Sequence, residues 1–257
     1  MPSMSPYQGT RFLDWIPGTT RFVAKTSDDY YLGALSFDGT NYVEFPINFV
    51  RDAVVSPDGK KVTFSTGAMA KMWLGTIDVD GSHLSPLPLP HPLPGQATRL
   101  VQSPDGRLCA VIWAPGLSFR GAGQIWVINA DGSSHHPLGP ADTYDFDPAW
   151  SPDGKTLAFV RRENPQAKIL GYDPTTWTAL VSSLWLVDLA SGEERLLLSS
   201  EGKYAHWPPQ WLPDGSGLVF VSGRGGEDDL WLIRPDGSGL QQLTFHGGVT
   251  PEIAVLG

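Results

Sequence analysis

Short apolar runs alternate with clusters of Pro, Asp and Gly along almost the whole chain. One phrase recurs four times: VVSPDGKKVTFST from Val54, VQSPDGRLCAVIW from Val101, AWSPDGKTLAFVR from Ala149 and QWLPDGSGLVFVS from Gln210. Each copy has an apolar run, then Ser-Pro-Asp-Gly or Leu-Pro-Asp-Gly, then a β-rich run such as Leu157-Ala158-Phe159-Val160. Pro fixes φ, and Asp and Gly accept tight-turn geometry, so the phrase predicts a hairpin. A second hairpin follows each time. Its first strand carries Met72-Trp73-Leu74, Ile125-Trp126-Val127, Leu184-Trp185-Leu186 or Leu230-Trp231-Leu232. Its turn is Asp80-Gly81, Asp131-Gly132, Ser191-Gly192 or Asp236-Gly237, and its last strand is short, as in Gln241–Thr244. The alternation and the β-branched content fit strands, so each unit reads as a four-stranded antiparallel meander.

A degenerate unit precedes these four. Leu13–Gly18 stands where the first strand and turn belong, Arg21–Ala24 is its second strand, Tyr31–Leu35 its third and Tyr42–Phe45 its fourth. The aligned turn residues Thr19, Gly59, Gly106, Gly154 and Gly215 are separated by 40, 47, 48 and 61 positions. The first three steps match the roughly 40–50 residues of one propeller blade. The predicted fold is therefore all-β: a β-propeller of four-stranded antiparallel blades, five in number. It forms a single domain over 11–257 behind an N-terminal tail, 1–10. Trp73, Trp126, Trp185 and Trp231 recur at one blade position and are expected to pack between blades as core.

The Ser-Pro-Asp-Gly turns at Ser56, Ser103 and Ser151, with the closing run Leu230–Thr244, resemble the TolB-like family of β-propellers, built from WD-type repeats. The resemblance covers nearly the whole chain and is specific for fold. It says little about function, because the shared residues are turn formers and core aromatics. It implies six blades where five complete units are counted, so Pro251–Leu256 reads either as a closing strand or as the first strand of a further blade. It also implies a periplasmic or secreted protein with a partner at the bacterial cell envelope. The stretch MPSMSPYQGT has no apolar h-region, so no signal peptide is expected in this sequence, and a cytoplasmic location stays open.

Charge narrows the partners. The formal net charge is -9, which argues against a nucleic-acid backbone or an anionic membrane surface. No run approaches the roughly 20 apolar residues of a spanning helix, so no membrane insertion is expected. The one cysteine, Cys109, lies in an apolar run and reads as a buried thiol without an intramolecular disulfide.

In a propeller, the connections between blades and between strands two and three share one face, and the hairpin turns share the other. Loop variation on the first face is where a site would be built. The longest insertion there, Arg162–Ser182, carries Tyr172 and Trp177 as candidate apolar anchors. The lead-ins to the first strands place Asp52, Arg99, Asp145, Asp147 and His206 around a channel mouth, a mixed charged and aromatic recognition site. The competing account is that these acids cap neighbouring backbone N–H groups. Ser85–Gln96 is proline-rich and reads as a rigid connector rather than a docking segment.

Catalytic signatures are sparse. A Gly-x-Ser-x-Gly elbow is missing, and the histidines have no zinc spacing. No cofactor is expected. Calcium is the one ion with suggestive donors, at Asp142, Asp145 and Asp147 and at Asp78–Ser82, but neither set supplies six to eight oxygens. Asp14, Asp52, Asp145, Asp147 and Glu252 are the channel-adjacent carboxylates a glycosidase-like site would draw on. The favoured expectation is a monomeric, non-enzymatic binding module for a protein or peptide, with no catalytic and no metal residues assigned. The alternatives are a channel-mouth hydrolase or lyase using paired acids, and the scaffold domain of a larger enzyme.

Overall fold

The Ser-Pro-Asp-Gly turn is built the same way three times. Ser56 Oγ donates to Asp58 Oδ1 at 2.6 Å and accepts from the Lys61 N–H at 2.9 Å, while Asp58 Oδ1 also accepts from the Lys60 N–H. Ser103 and Asp105 repeat the pattern with Leu108 and Arg107, and Ser151 and Asp153 with Thr156 and Lys155. The fourth turn position is a glycine with φ near +70° in every copy, at Gly59, Gly106, Gly154 and Gly215, a conformation that costs glycine nothing. Leu212 replaces the serine in the last copy, and there Asp214 bonds to Ser216 instead.

The computed structural model describes residues 10–26, 31–38, 40–68, 71–89, 96–114, 123–140, 143–162, 182–199, 206–245 and 247. They form five four-stranded antiparallel sheets. The first contains β1 (Thr10–Trp15), β2 (Arg21–Thr26), β3 (Leu32–Ser36) and β4 (Val43–Phe45). The second contains β5 (Val50–Val55), β6 (Lys61–Ala68), β7 (Lys71–Asp78) and β8 (Ser85–Pro86). The third contains β9 (Gln96–Gln102), β10 (Leu108–Ala114), β11 (Gln124–Asn129) and β12 (His135–Pro137). The fourth contains β13 (Asp145–Trp150), β14 (Thr156–Arg162), β15 (Ser182–Asp188) and β16 (Glu194–Leu198). The fifth contains β17 (His206–Trp211), β18 (Leu218–Ser222), β19 (Asp229–Ile233) and β20 (Gln241–Gln242). In every sheet the strands neighbour one another in chain order, the meander that the repeated hairpins predict.

The chain folds as two compact units, 1–122 with 126–136, and 123–125 with 137–257. In the first unit, β1 lies beside β5 and β5 beside β9. Its sheets bury an interleaved core. Val23, Leu32 and Phe45 of the first sheet meet Val50, Val62 and Phe64 of the second, and Leu74 of the second joins Leu100, Val111 and Ile128 of the third. Leu87 and Leu89 of the proline-rich stretch are buried in that second cluster, and the Leu87 N–H donates to Leu74 O at 2.9 Å. That part of the stretch is anchored in the core, and 90–95 lies outside the described residues. Cys109 is buried with them, and burial, aided by the nearby Asp52 charge, pushes its thiol up to about 12. In the second unit, β13 lies beside β17, and Val160, Leu184 and Leu186 pack with Phe220 and Ile233.

The recurring tryptophans are half-buried rather than fully enclosed. Trp73 lies against the first cluster and meets Phe64 edge-on at 5.4 Å. Trp126 packs against the second cluster and Trp231 against the cluster of the second unit. These three rings cover the rim of a core, and Trp185 lies 5.0 Å from the Arg161 guanidinium.

Candidate functional site

Every first strand carries a bulge. The register slips between Phe12 and Asp14 in β1, between Val50 and Asp52 in β5, between Ala97 and Arg99 in β9, between Phe146 and Ala149 in β13 and between Trp207 and Gln210 in β17. A bulge bends its strand and re-aims one or two side chains. Asp14, Asp52, Arg99 and Asp147 lie at four of these slips.

In the first unit, the acids stitch one first strand to the next. Asp14 Oδ2 accepts from the Val55 N–H at 2.8 Å, and Asp52 Oδ2 accepts from the Leu100 N–H at 2.8 Å. The β2 and β6 strands add a second stitch. Buried Lys25 donates from Nζ to Val50 O and Arg51 O at 3.2 and 3.0 Å, and Ser65 Oγ donates to Ala97 O at 3.2 Å. Burial pushes the Asp14 and Asp52 carboxyls above the usual range. The Val55 N–H opposes this at Asp14, and the Arg99 charge opposes it at Asp52. Arg99 itself is exposed.

In the second unit, Asp145 is fully buried and grips Arg161. Arg161 Nε reaches Asp145 Oδ1 at 2.7 Å and Nη2 reaches Oδ2 at 2.9 Å. The same guanidinium meets Glu194 at 2.7 and 3.1 Å. Burial raises the Asp145 carboxyl, against the pull of Arg161. Burial alone would lower Arg161, but its two acids raise it overall. Gly139 closes over this group at φ +64°, where a Cβ would stand 2.5 Å from Glu194 Oε1. Asp147 sits half-buried in the bulge at φ +51°, in the left-handed region that Asp tolerates better than most residues. The His206 backbone pairs with Ser222.

The structure thus brings Asp52 and Arg99 together in one unit, and Asp145 and Asp147 in one strand of the other. Tyr172, Trp177, Asp142 and Glu252 lie outside the described residues. Lys25, Arg161 and Glu194 belong to these arrangements and were not singled out from the sequence. The only sequence signal for Lys25 or Arg161 is a cation directly after an apolar β-run. Among the described residues, no group of three or more His, Cys, Asp or Glu is arranged to hold a metal ion. The two acids of the calcium-like stretch have other bonds. Asp78 meets Lys61 at 2.6 Å and His83 at 2.8 Å, and Asp80 accepts from the Ser82 hydroxyl at 2.6 Å.

No protein-family model matches the chain. A TolB homologue of Chlorobium luteolum is 28% identical over 187 residues, covering 72% of this chain and 37% of that protein. TolB from Acinetobacter baumannii superposes with a TM-score of 0.58 at 16% identity, over 89% of this chain and 52% of that one. The fold is a TolB-like β-propeller. Enzymes share it: a puromycin hydrolase superposes with a TM-score of 0.66 at 17% identity, over 96% of this chain and 41% of that one. An oligogalacturonate lyase in complex with manganese superposes at 0.60 and 14% identity, over 91% of this chain and 63% of that one. An uncharacterized protein of Agrobacterium fabrum is 28% identical over 142 residues, 55% of this chain. Dipeptidyl-peptidase 5 of Porphyromonas gingivalis is 30% identical over 122 residues, 47% of this chain. The chain spans 41% of the Agrobacterium protein's length and 16% of the peptidase's. Among its described residues, no helix is long and apolar enough to cross a membrane.

Proposed function

We propose that this propeller is a non-enzymatic binding module. It would present the strand-connecting ends of its blades to a protein or an extended peptide at the bacterial cell envelope, in the periplasm. The observation that carries this reading is the state of the acids. Asp14 and Asp52 each accept a backbone N–H of the next first strand, and Asp145 is held by Arg161. A glycosidase-like site needs two carboxylates facing a substrate, one to give a proton and one to attack or to activate water. Carboxylates engaged inside the fold serve as structure instead. The relatives named TolB, one of them described as a Tol-Pal system protein, support an envelope protein partner. Of the residues read as recognition groups, Arg99 is exposed and stays a polar candidate, and Asp147, His206, Tyr172 and Trp177 are carried over from the sequence reading alone.

A second reading has its own support. The match to dipeptidyl-peptidase 5 covers only 16% of that protein, so this propeller would suit the scaffold role in a larger enzyme. One experiment tests the binding reading against chemistry carried by the propeller itself. The chain and an Arg99→Ala/Asp147→Ala variant are used as baits in envelope extract with cross-linking mass spectrometry, and both are assayed for turnover of dipeptide anilides and oligogalacturonate. The binding reading expects a protein cross-linked by the first bait and lost by the second, with no turnover. Turnover that Asp52→Asn abolishes would overturn it.

A further inference from the structure

Among the described residues, ten aspartates are held below their usual range, Asp38, Asp58, Asp78, Asp80, Asp105, Asp131, Asp153, Asp188, Asp214 and Asp236, and all of them sit in or beside the hairpin turns. Their own hydrogen bonds keep them ionised. The turn ends of the sheets are therefore rich in ionised carboxylates, with Lys60, Arg107 and Lys155 among them. The opposite ends of the first unit's sheets carry a different chemistry. The lead-in to β5 exposes Phe49 and Arg51 on either side of buried Val50, and the adjacent β9 exposes Arg99. Asp52, the acid between them in sequence, is turned to the Leu100 N–H. Among the described residues, no carboxylate lies within salt-bridge distance of Arg51 or Arg99. Asp28 and Asp29, in the β2–β3 connection, lie outside the described residues.

Phe49 adds a second, independent observation. Its φ is +57°, a left-handed backbone that a bulky side chain rarely adopts, and its ring is 44% exposed. Lys25 helps fix this turn from behind through Val50 O and Arg51 O, so the ring and the guanidinium are presented on a braced backbone. An exposed aromatic in the same lead-in as Arg51, with Arg99 exposed on the adjacent strand of a chain whose formal net charge is -9, has the composition of a recognition patch.

We infer that Phe49, Arg51 and Arg99 form the docking surface for an acidic peptide segment with an aromatic or large aliphatic side chain. This rests on the binding-module reading and names its partner's chemistry. Carboxylates of the segment pair with the two guanidiniums, and its apolar side chain covers Phe49. The acidic turn ends reject the same segment, which gives it one orientation on the propeller.

Random short peptides displayed on phage, selected on the intact chain at about 150 mM salt, test this. Enriched peptides are expected to be rich in Asp and Glu and to contain an apolar anchor. A synthetic copy of one should bind about tenfold or more weakly to Arg51→Gln/Arg99→Gln, and more weakly to Phe49→Ala. It should bind unchanged to Arg107→Gln at the turn end. Circular dichroism checks each fold, and loss of binding at about 500 mM salt gives the same charge test without any substitution. Enriched peptides without acidic bias, or acidic ones indifferent to both the glutamines and the salt, would overturn the inference while leaving the binding module standing. Enrichment of nothing on any bait would overturn both.

Discussion

Arg161 meets Asp145 through two parallel hydrogen bonds, 2.7 Å from Nε to Oδ1 and 2.9 Å from Nη2 to Oδ2. The fork geometry is the strong form of the ion pair. On its other side the guanidinium takes Glu194, and the rings of Phe159 and Trp185 lie 5.0 Å away. One cation thus neutralises two carboxylates that are nearly out of water. Arg161→Ala leaves both charges unpaired and is expected to cost about 3–5 kcal/mol in urea unfolding at neutral pH. The sign with pH follows from Asp145. Its folded carboxyl is already raised by burial, and losing Arg161 raises it further. A raised acid penalises the fold above its folded pKa and relieves it as pH falls through that value. The deficit of Arg161→Ala should therefore shrink as pH falls from neutrality toward the ordinary carboxylate range. An equal deficit at both ends would sink the charge account.

The serine of the repeated turn is expected to matter far more than its neighbours. Ser103 is 1% exposed and serves both Asp105 and the Leu108 N–H. Ser103→Ala leaves that N–H without its acceptor and should cost about 1–3 kcal/mol. Ser216 also bonds its turn aspartate, but in solvent, and Ser216→Ala should stay within about 0.5 kcal/mol of the parent. Matching chemical denaturation curves for the two variants would refute the distinction.

The sheets were legible because turn chemistry and apolar alternation are local. Pro57-Asp58-Gly59 and its copies mark hairpins whatever surrounds them, and five counted units became five sheets. The roles of the site residues were less legible because they depend on partners far along the chain. Asp52 bonds Leu100 across 48 positions, and Arg161 finds Glu194 across 33. Asp145 reads from sequence as a polar residue at a strand start. Only the closing of β13 on β14 places it under Arg161. The bulges in β1, β5 and β9 are equally silent, since neither glycine nor proline marks their slips, whereas Pro148 and Pro208-Pro209 do fall in the slips of β13 and β17.

Acid should loosen the turns before the cores. The Asp105 carboxyl is held below its usual range by the Ser103 hydroxyl first and the Arg107 N–H second. A depressed acid stabilises the fold above its unfolded pKa, and that contribution is lost as pH falls through the folded value. Asp105→Asn should therefore unfold more easily than the parent at neutral pH and match it well below pH 3.8, the ordinary value for aspartate. Parallel pH titrations of the two midpoints check this, and a gap that persists in strong acid would show that the charge is not the cause.

Asp52 separates the structural account of the acids from the catalytic one. Its Oδ2 accepts from the N–H of Leu100, a residue 3% exposed. Asp52→Ala removes that acceptor and should cost about 1–3 kcal/mol. Asp52→Asn keeps an oxygen in place and removes the charge that burial disfavours. Against that gain stands the lost attraction to Arg99, so the amide should lie within about 1 kcal/mol of the parent at neutral pH. The residual difference should narrow as pH falls through the raised Asp52 pKa, where the parent also becomes neutral. A structural acid tolerates this exchange in stability and in peptide binding alike, because the bond to Leu100 survives. A proton donor or nucleophile does not, since an amide can neither give a proton at that position nor attack. Asp52→Asn therefore leaves the binding module working, and a variant that folds like the parent but loses its activity would place Asp52 in chemistry instead.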